Sequence, residues 1–108
     1  MNDDIDIKIR RLMQQLEYQF VEINKRNINE IAGEITERDF TKLAEAISIC
    51  RANYLKEVLQ IANNEDGTLC ARLSQQVRDR RLLYEEALQG FDALRHALGR
   101  GYFRLGGK

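Results

Sequence analysis

Proline and tryptophan are absent from this chain of 108 residues, and the aromatic residues together make up only 7%. A β-sandwich or barrel draws on turn-forming residues and aromatic strands, so their scarcity counts against the all-β classes. One histidine and two cysteines are too few for the usual metal site or disulfide scaffold. Cys50 and Cys70 are read as reduced thiols at core positions. An excess of charge of one sign is missing too. The 17 basic and 17 acidic residues give a net charge of zero, which counts against a nucleic-acid binder driven by bulk charge. No apolar run approaches the ~20 residues of a membrane span. The opening Met1-Asn2-Asp3-Asp4-Ile5-Asp6 is acidic, with no apolar stretch of signal-peptide length behind it, so the expected location is cytoplasmic.

What the chain does have is helical periodicity. Hydrophobic residues make up 44% and charged residues 31%, which suits one globular domain. The first segment, from about Asp3 to Ala32, places Ile5, Ile9, Leu12, Leu16, Phe20 and Ile23 on one face at steps of three and four, followed by Ile28 and Ile31. Asp3, Asp4 and Asp6 crowd its start, where carboxylates suit the helix dipole, and Gly33 is placed to take the left-handed cap conformation. The second segment opens on Thr36-Glu37-Arg38-Asp39, a capping-box pattern with Asp in the third place, flanked by the staple pair Ile35 and Phe40. Its seam reads Phe40, Leu43, Ile47, Cys50, Tyr54, Val58 and Ile61. The turn-rich run Asn63-Asn64-Glu65-Asp66-Gly67 follows, with Asp66 or Thr68 as candidate caps. The third segment has the seam Cys70, Leu73, Val77, Arg80, Tyr84, Ala87, Phe91, Leu94 and Leu98 and stops at Gly99. Gly90 interrupts it at a cost of about 1 kcal/mol relative to alanine.

Long helices joined by short turns pack antiparallel. The expected fold is therefore all-α, an elongated antiparallel three-helix bundle built as a long helical hairpin plus a third helix. Residues 1–98 form the bundle and residues 99–108 a flexible basic and aromatic tail. Ile7, Met13 and Val21 lie off the main seam of the first helix, and this leftover apolar surface favours a homodimer. The zero net charge hides an asymmetry. Residues 1–32 carry five basic and six acidic groups, residues 33–66 four and seven, and residues 67–108 eight and four. The basic last third either pairs with the acidic middle or offers a strip to an acidic partner.

Catalytic signatures are thin. His96 has no positioned acid or nucleophile near it in sequence, Ser48 and Ser74 lack a nucleophile-elbow context, and no phosphate-binding glycine loop is present. The expectation is a non-enzyme with no cofactor and no metal. The candidate partner-binding residues are Arg78, Arg80, Arg81 and Tyr84 of the third helix and Tyr102, Phe103 and Arg104 of the tail. Arg80 breaks an apolar seam, where a charge either pairs, fixing register or partner, or snorkels to the edge. Arg and Tyr on one face are the residue types that anchor interfaces. In the tail, cationic and aromatic residues alternate among glycines, a pattern that folds back over the helix ends or docks in a partner's groove.

In size, helix order and a helix-ending tail with Gly101-Tyr102-Phe103, the chain resembles the small helical-hairpin chaperones of flagellar and type III export. No motif carries site residues across. The expected function is a protein–protein interaction module, a small helical adaptor, export-type chaperone or inhibitor, that binds through helix three and the tail. The second expectation is a nucleic-acid-associated regulator using the same basic surface, disfavoured by the diluting Asp79, Glu85 and Glu86.

Overall fold

The computed structural model describes residues 2–63 and 71–107. They form three helices, α1 (Asn2–Ala32), α2 (Glu37–Ala62) and α3 (Ala71–Gly99), of 31, 26 and 29 residues. Among the described residues there is no strand beyond one isolated parallel bridge between Thr36 and Gly106. The all-α class and the three successive helices agree with the periodicity of the sequence. The turn at 64–67, its candidate caps Asp66 and Thr68, Cys70 and Lys108 lie outside the described residues.

Two compact units divide the chain. One is Met1–Thr36 with Arg95–Lys108, and the other is Glu37–Leu94.

In the Glu37–Leu94 unit, α2 and α3 form an antiparallel hairpin. Phe40, at the start of α2, meets Phe91 far along α3, edge to face with ring centroids 5.8 Å apart. Tyr54, further along α2, meets the earlier Tyr84 with near-parallel rings at 6.3 Å. These aromatic pairs add to ordinary area burial because the rings take offset or edge geometries that suit their quadrupoles. The two seams read from the sequence form the inner faces. Leu43, Cys50, Tyr54 and Val58 of α2 are half-buried, as are Leu73, Val77, Tyr84, Ala87, Phe91 and Leu94 of α3. Ile47, at the middle of the α2 seam, is 6% exposed and is the one fully buried side chain among the described residues. Arg80 departs from its seam by staying exposed, which keeps the guanidinium hydrated. Ile61 is also exposed, at the last turn of α2. The start of α2 follows the capping pattern: the helix begins at Glu37, directly after Thr36, with Glu37 and Asp39 in its first turn.

In the other unit, α1 ends as Gly33 predicts. Gly33 has φ 76°, and its N–H donates to the Asn29 carbonyl at 3.1 Å, the single-bond left-handed cap. The end of α3 closes differently. Gly101, not Gly99, takes the left-handed conformation, with φ 77°. The Gly101 N–H donates to the Leu98 carbonyl at 3.1 Å and the Tyr102 N–H to the Ala97 carbonyl at 2.9 Å. That pair of bonds is a Schellman motif. Its customary side-chain contact is present as well, with Tyr102 packing edge-on against His96 at 6.5 Å. Beyond it, the Gly106 N–H donates to the Ile35 carbonyl at 2.7 Å, which ties the last residues to the segment after α1.

The apolar faces of α1 are used in an unexpected order. The main seam, Ile5, Ile9, Leu12, Leu16, Phe20 and Ile23, is exposed throughout, at 39 to 62%. The partly covered side chains of α1 are Val21, Asn24, Lys25 and Ile28, on a different face. Val21 belongs to the group that the sequence marks as leftover. The physical reason is geometric: α1 carries two apolar stripes, and the one at its C-terminal half faces the end of the chain.

Candidate binding surfaces

The three tail candidates, with Gly106, come together with α1 in one cleft. It has a volume of about 450 Å³ and is lined by Lys25, Ile28 and Asn29 of α1, by Gly33, Glu34 and Ile35 after it, and by Tyr102, Phe103, Arg104 and Gly106. The positions of these residues follow from the caps. The cap at Gly33 turns the chain out of α1, and the Schellman motif at Gly101 turns it out of α3. The bond from Gly106 to Ile35 then holds the two emerging strands of chain side by side. Ile28, Ile35, Tyr102 and Phe103 supply apolar wall, and all four are half-buried. Lys25, Glu34 and Arg104 place charge at the rim. Lys25 lies 3.6 Å from Glu22 one turn earlier, an exposed pair. The backbone of Gly106 passes so close to Glu34 that a Cβ there would overlap the Glu34 side chain. Nearby, Arg100 reaches Glu17 at 4.0 Å.

The helix-three candidates do not form one patch. At about 100° per residue, Arg78 and Arg80 point roughly 160° apart, while Arg80 and Tyr84 share a face. Arg78 Nη1 donates to Gln75 Oε1 at 3.4 Å, and Gln75 in turn donates to Asp79 Oδ1 at 2.7 Å. Arg81 lies 3.8 Å from Glu85. These exposed contacts along one helix occupy part of the basic run with its own neighbours. Arg80 lines a shallow cleft of about 300 Å³ with Glu57, Gln76, Asp79 and Leu83. Facing it from α2, Glu57 has an Oε2 atom shielded from solvent with no hydrogen-bond partner among the described groups. Arg80 thus takes the edge position, opposite a carboxylate of the acidic middle of the chain.

Tyr84 is a packing residue of the hairpin. Its ring stacks on Tyr54, and its hydroxyl oxygen accepts a hydrogen bond from Arg51 Nε at 3.1 Å. The Arg51 guanidinium also lies 5.3 Å from the ring centroid, within cation–π range. Sequence reasoning missed Arg51, although its place one turn before Tyr54 puts it beside the aromatic pair. It also missed Lys25 and Asn29, whose spacing of four marks a common face just ahead of the Gly33 cap.

No helix among the described residues is long and apolar enough to cross a membrane. Compared with known protein families, curated proteins and solved structures, the chain matches none.

Proposed function

We propose that this protein acts by binding other polypeptides, as a small helical interaction module without catalytic chemistry of its own. The observation that supports the reading is the uncovered seam of α1: six large apolar side chains in helical register, all exposed, in a chain whose one fully buried described residue is Ile47. Exposed apolar stripes of this extent mark association surfaces, because leaving them in water forfeits the main driving force for folding. The cleft at the end of the chain is the second part of the proposal. Its apolar wall of Tyr102 and Phe103, edged by charges of both signs at Lys25, Glu34 and Arg104, suits a short apolar segment with polar flanks.

Site-specific photo-crosslinking in cells tests the proposal. A photoreactive residue at Leu12 or at Phe103 is expected to give discrete adducts. The same residue at the exposed polar position Gln89 of α3 is expected to give none. Adduct patterns indistinguishable from the Gln89 control would overturn the proposal.

A further inference from the structure

The exposed seam of α1 has a charge border that is complementary to itself, and this identifies its occupant. We infer that the α1 seam pairs with the same seam of a second copy of this chain, the two helices running antiparallel about a twofold axis near Gln14. The inference rests on reading the protein as an association module and adds which partner covers α1.

The apolar register comes first. In an antiparallel pairing centred near Gln14, Ile5 of one copy lies opposite Ile23 of the other, Ile9 opposite Phe20, and Leu12 opposite Leu16. All six side chains are exposed and free to interdigitate. At about 1.5 Å per residue the seam from Ile5 to Ile23 is about 27 Å long, several turns of knobs-into-holes contact.

The charges select the direction. Antiparallel helices bring each border of the seam against the same border of the partner. On one border Arg10 then faces Glu17 of the second copy. On the other, Lys8 faces Glu22 and Asp4 faces Arg26. Every one of these pairs is centred within about one residue of the apolar axis, and every pair is of opposite sign. A twofold axis repeats each pair, which is the self-complementarity an isologous interface requires. Parallel pairing instead sets each border against the opposite border of the partner and forms none of these three pairs. Glu17 and Glu22 keep side-chain exposures of 74% and 49% beside Arg100 and Lys25, so both carboxylates remain accessible to a partner.

Sedimentation equilibrium of the full chain tests the pairing, with a charge-swap set and a crosslinking set. The wild-type chain is expected to sediment at twice the monomer mass. Arg10→Glu alone and Glu17→Arg alone are each expected to weaken the dimer about fivefold, since each places two like-charged pairs at the border. The double variant R10E/E17R is expected to return to near wild-type affinity, a rescue that a structural defect would not show. In a Cys50→Ala/Cys70→Ala background, Ile5→Cys with Ile23→Cys is expected to give a disulfide-linked dimer on oxidation. Ile5→Cys alone is expected to give none, because the two copies of residue 5 stand about 27 Å apart and a disulfide needs Cα atoms within about 7 Å. A wild-type monomer at all concentrations, a double swap no better than the single variants, or crosslinking by Ile5→Cys alone would each overturn the inference. A monomer whose Leu12 crosslinks to other proteins would overturn self-pairing while leaving the proposed interaction function standing.

Discussion

The amide of Gly106 donates to the carbonyl of Ile35 at 2.7 Å, joining the last residues of the chain to the segment that leaves α1. Gly106→Pro removes this donor and drives ring atoms toward Glu34. A backbone hydrogen bond contributes about 1 kcal/mol net, so tryptic cleavage after the exposed Arg104 is expected to speed up about fivefold. Helical content by circular dichroism is expected to stay unchanged. Unaltered cleavage would mean that the bond does not hold the tail.

Two glycines in or beside α3 are expected to respond to alanine with opposite signs. Gly101 sits at φ 77°, where a Cβ is strained, so Gly101→Ala is expected to cost about 1 kcal/mol. Gly90 lies inside the helix with open space around a built Cβ, so Gly90→Ala is expected to gain about 1 kcal/mol. Thermal melts of the two variants, run side by side, read the contrast directly.

The α2–α3 hairpin is expected to depend most on its one buried side chain. Ile47→Ala is expected to cost about 2–4 kcal/mol, through lost burial and the cavity left behind. Ile61→Ala, at an exposed position, is expected to change stability by less than about 1 kcal/mol. Denaturant unfolding followed by helical signal distinguishes the two, and equal losses would contradict the packing described.

Tyr84 and Arg80 share a face of α3 and are expected to behave differently. Tyr84→Ala removes the ring stacked on Tyr54 and is expected to lower stability by about 2–3 kcal/mol. Tyr84→Phe loses only the acceptor for Arg51 at an exposed site, a change of under about 1 kcal/mol. Arg80→Ala is expected to fall within about 0.5 kcal/mol of wild type, because its guanidinium is exposed. The same three variants in one unfolding series check the ordering.

Much of the fold was legible in the spacing of apolar residues. The steps of three and four in α2 and α3 place Phe40 through Val58 against Leu73 through Leu94, and the structure has these faces half-buried. Gly33 was legible as a cap because a lone glycine follows the last periodic residue. The end of α3 offered glycines at 99 and 101. Only a left-handed Gly101 lets the Tyr102 amide reach Ala97 and its ring reach His96, a choice set by contact rather than by local pattern. The cleft was half legible. The composition of the tail marked Tyr102, Phe103 and Arg104, but their neighbours Lys25 and Ile35 depend on a bond between segments far apart in sequence. The α1 seam shows a further limit. Periodicity says which side chains share a face, and it carries no information on whether the chain itself covers that face.

In the proposed pairing, α1 completes its packing by association with a second copy. Hydrogen exchange measured across a wide range of protein concentration tests it most directly. Amides between Ile5 and Ile23 are expected to gain protection as concentration rises, while those around Ile47 keep theirs, because the proposed pairing covers α1 and leaves the α2–α3 hairpin unchanged. Protection of α1 that is the same at every concentration would contradict the pairing.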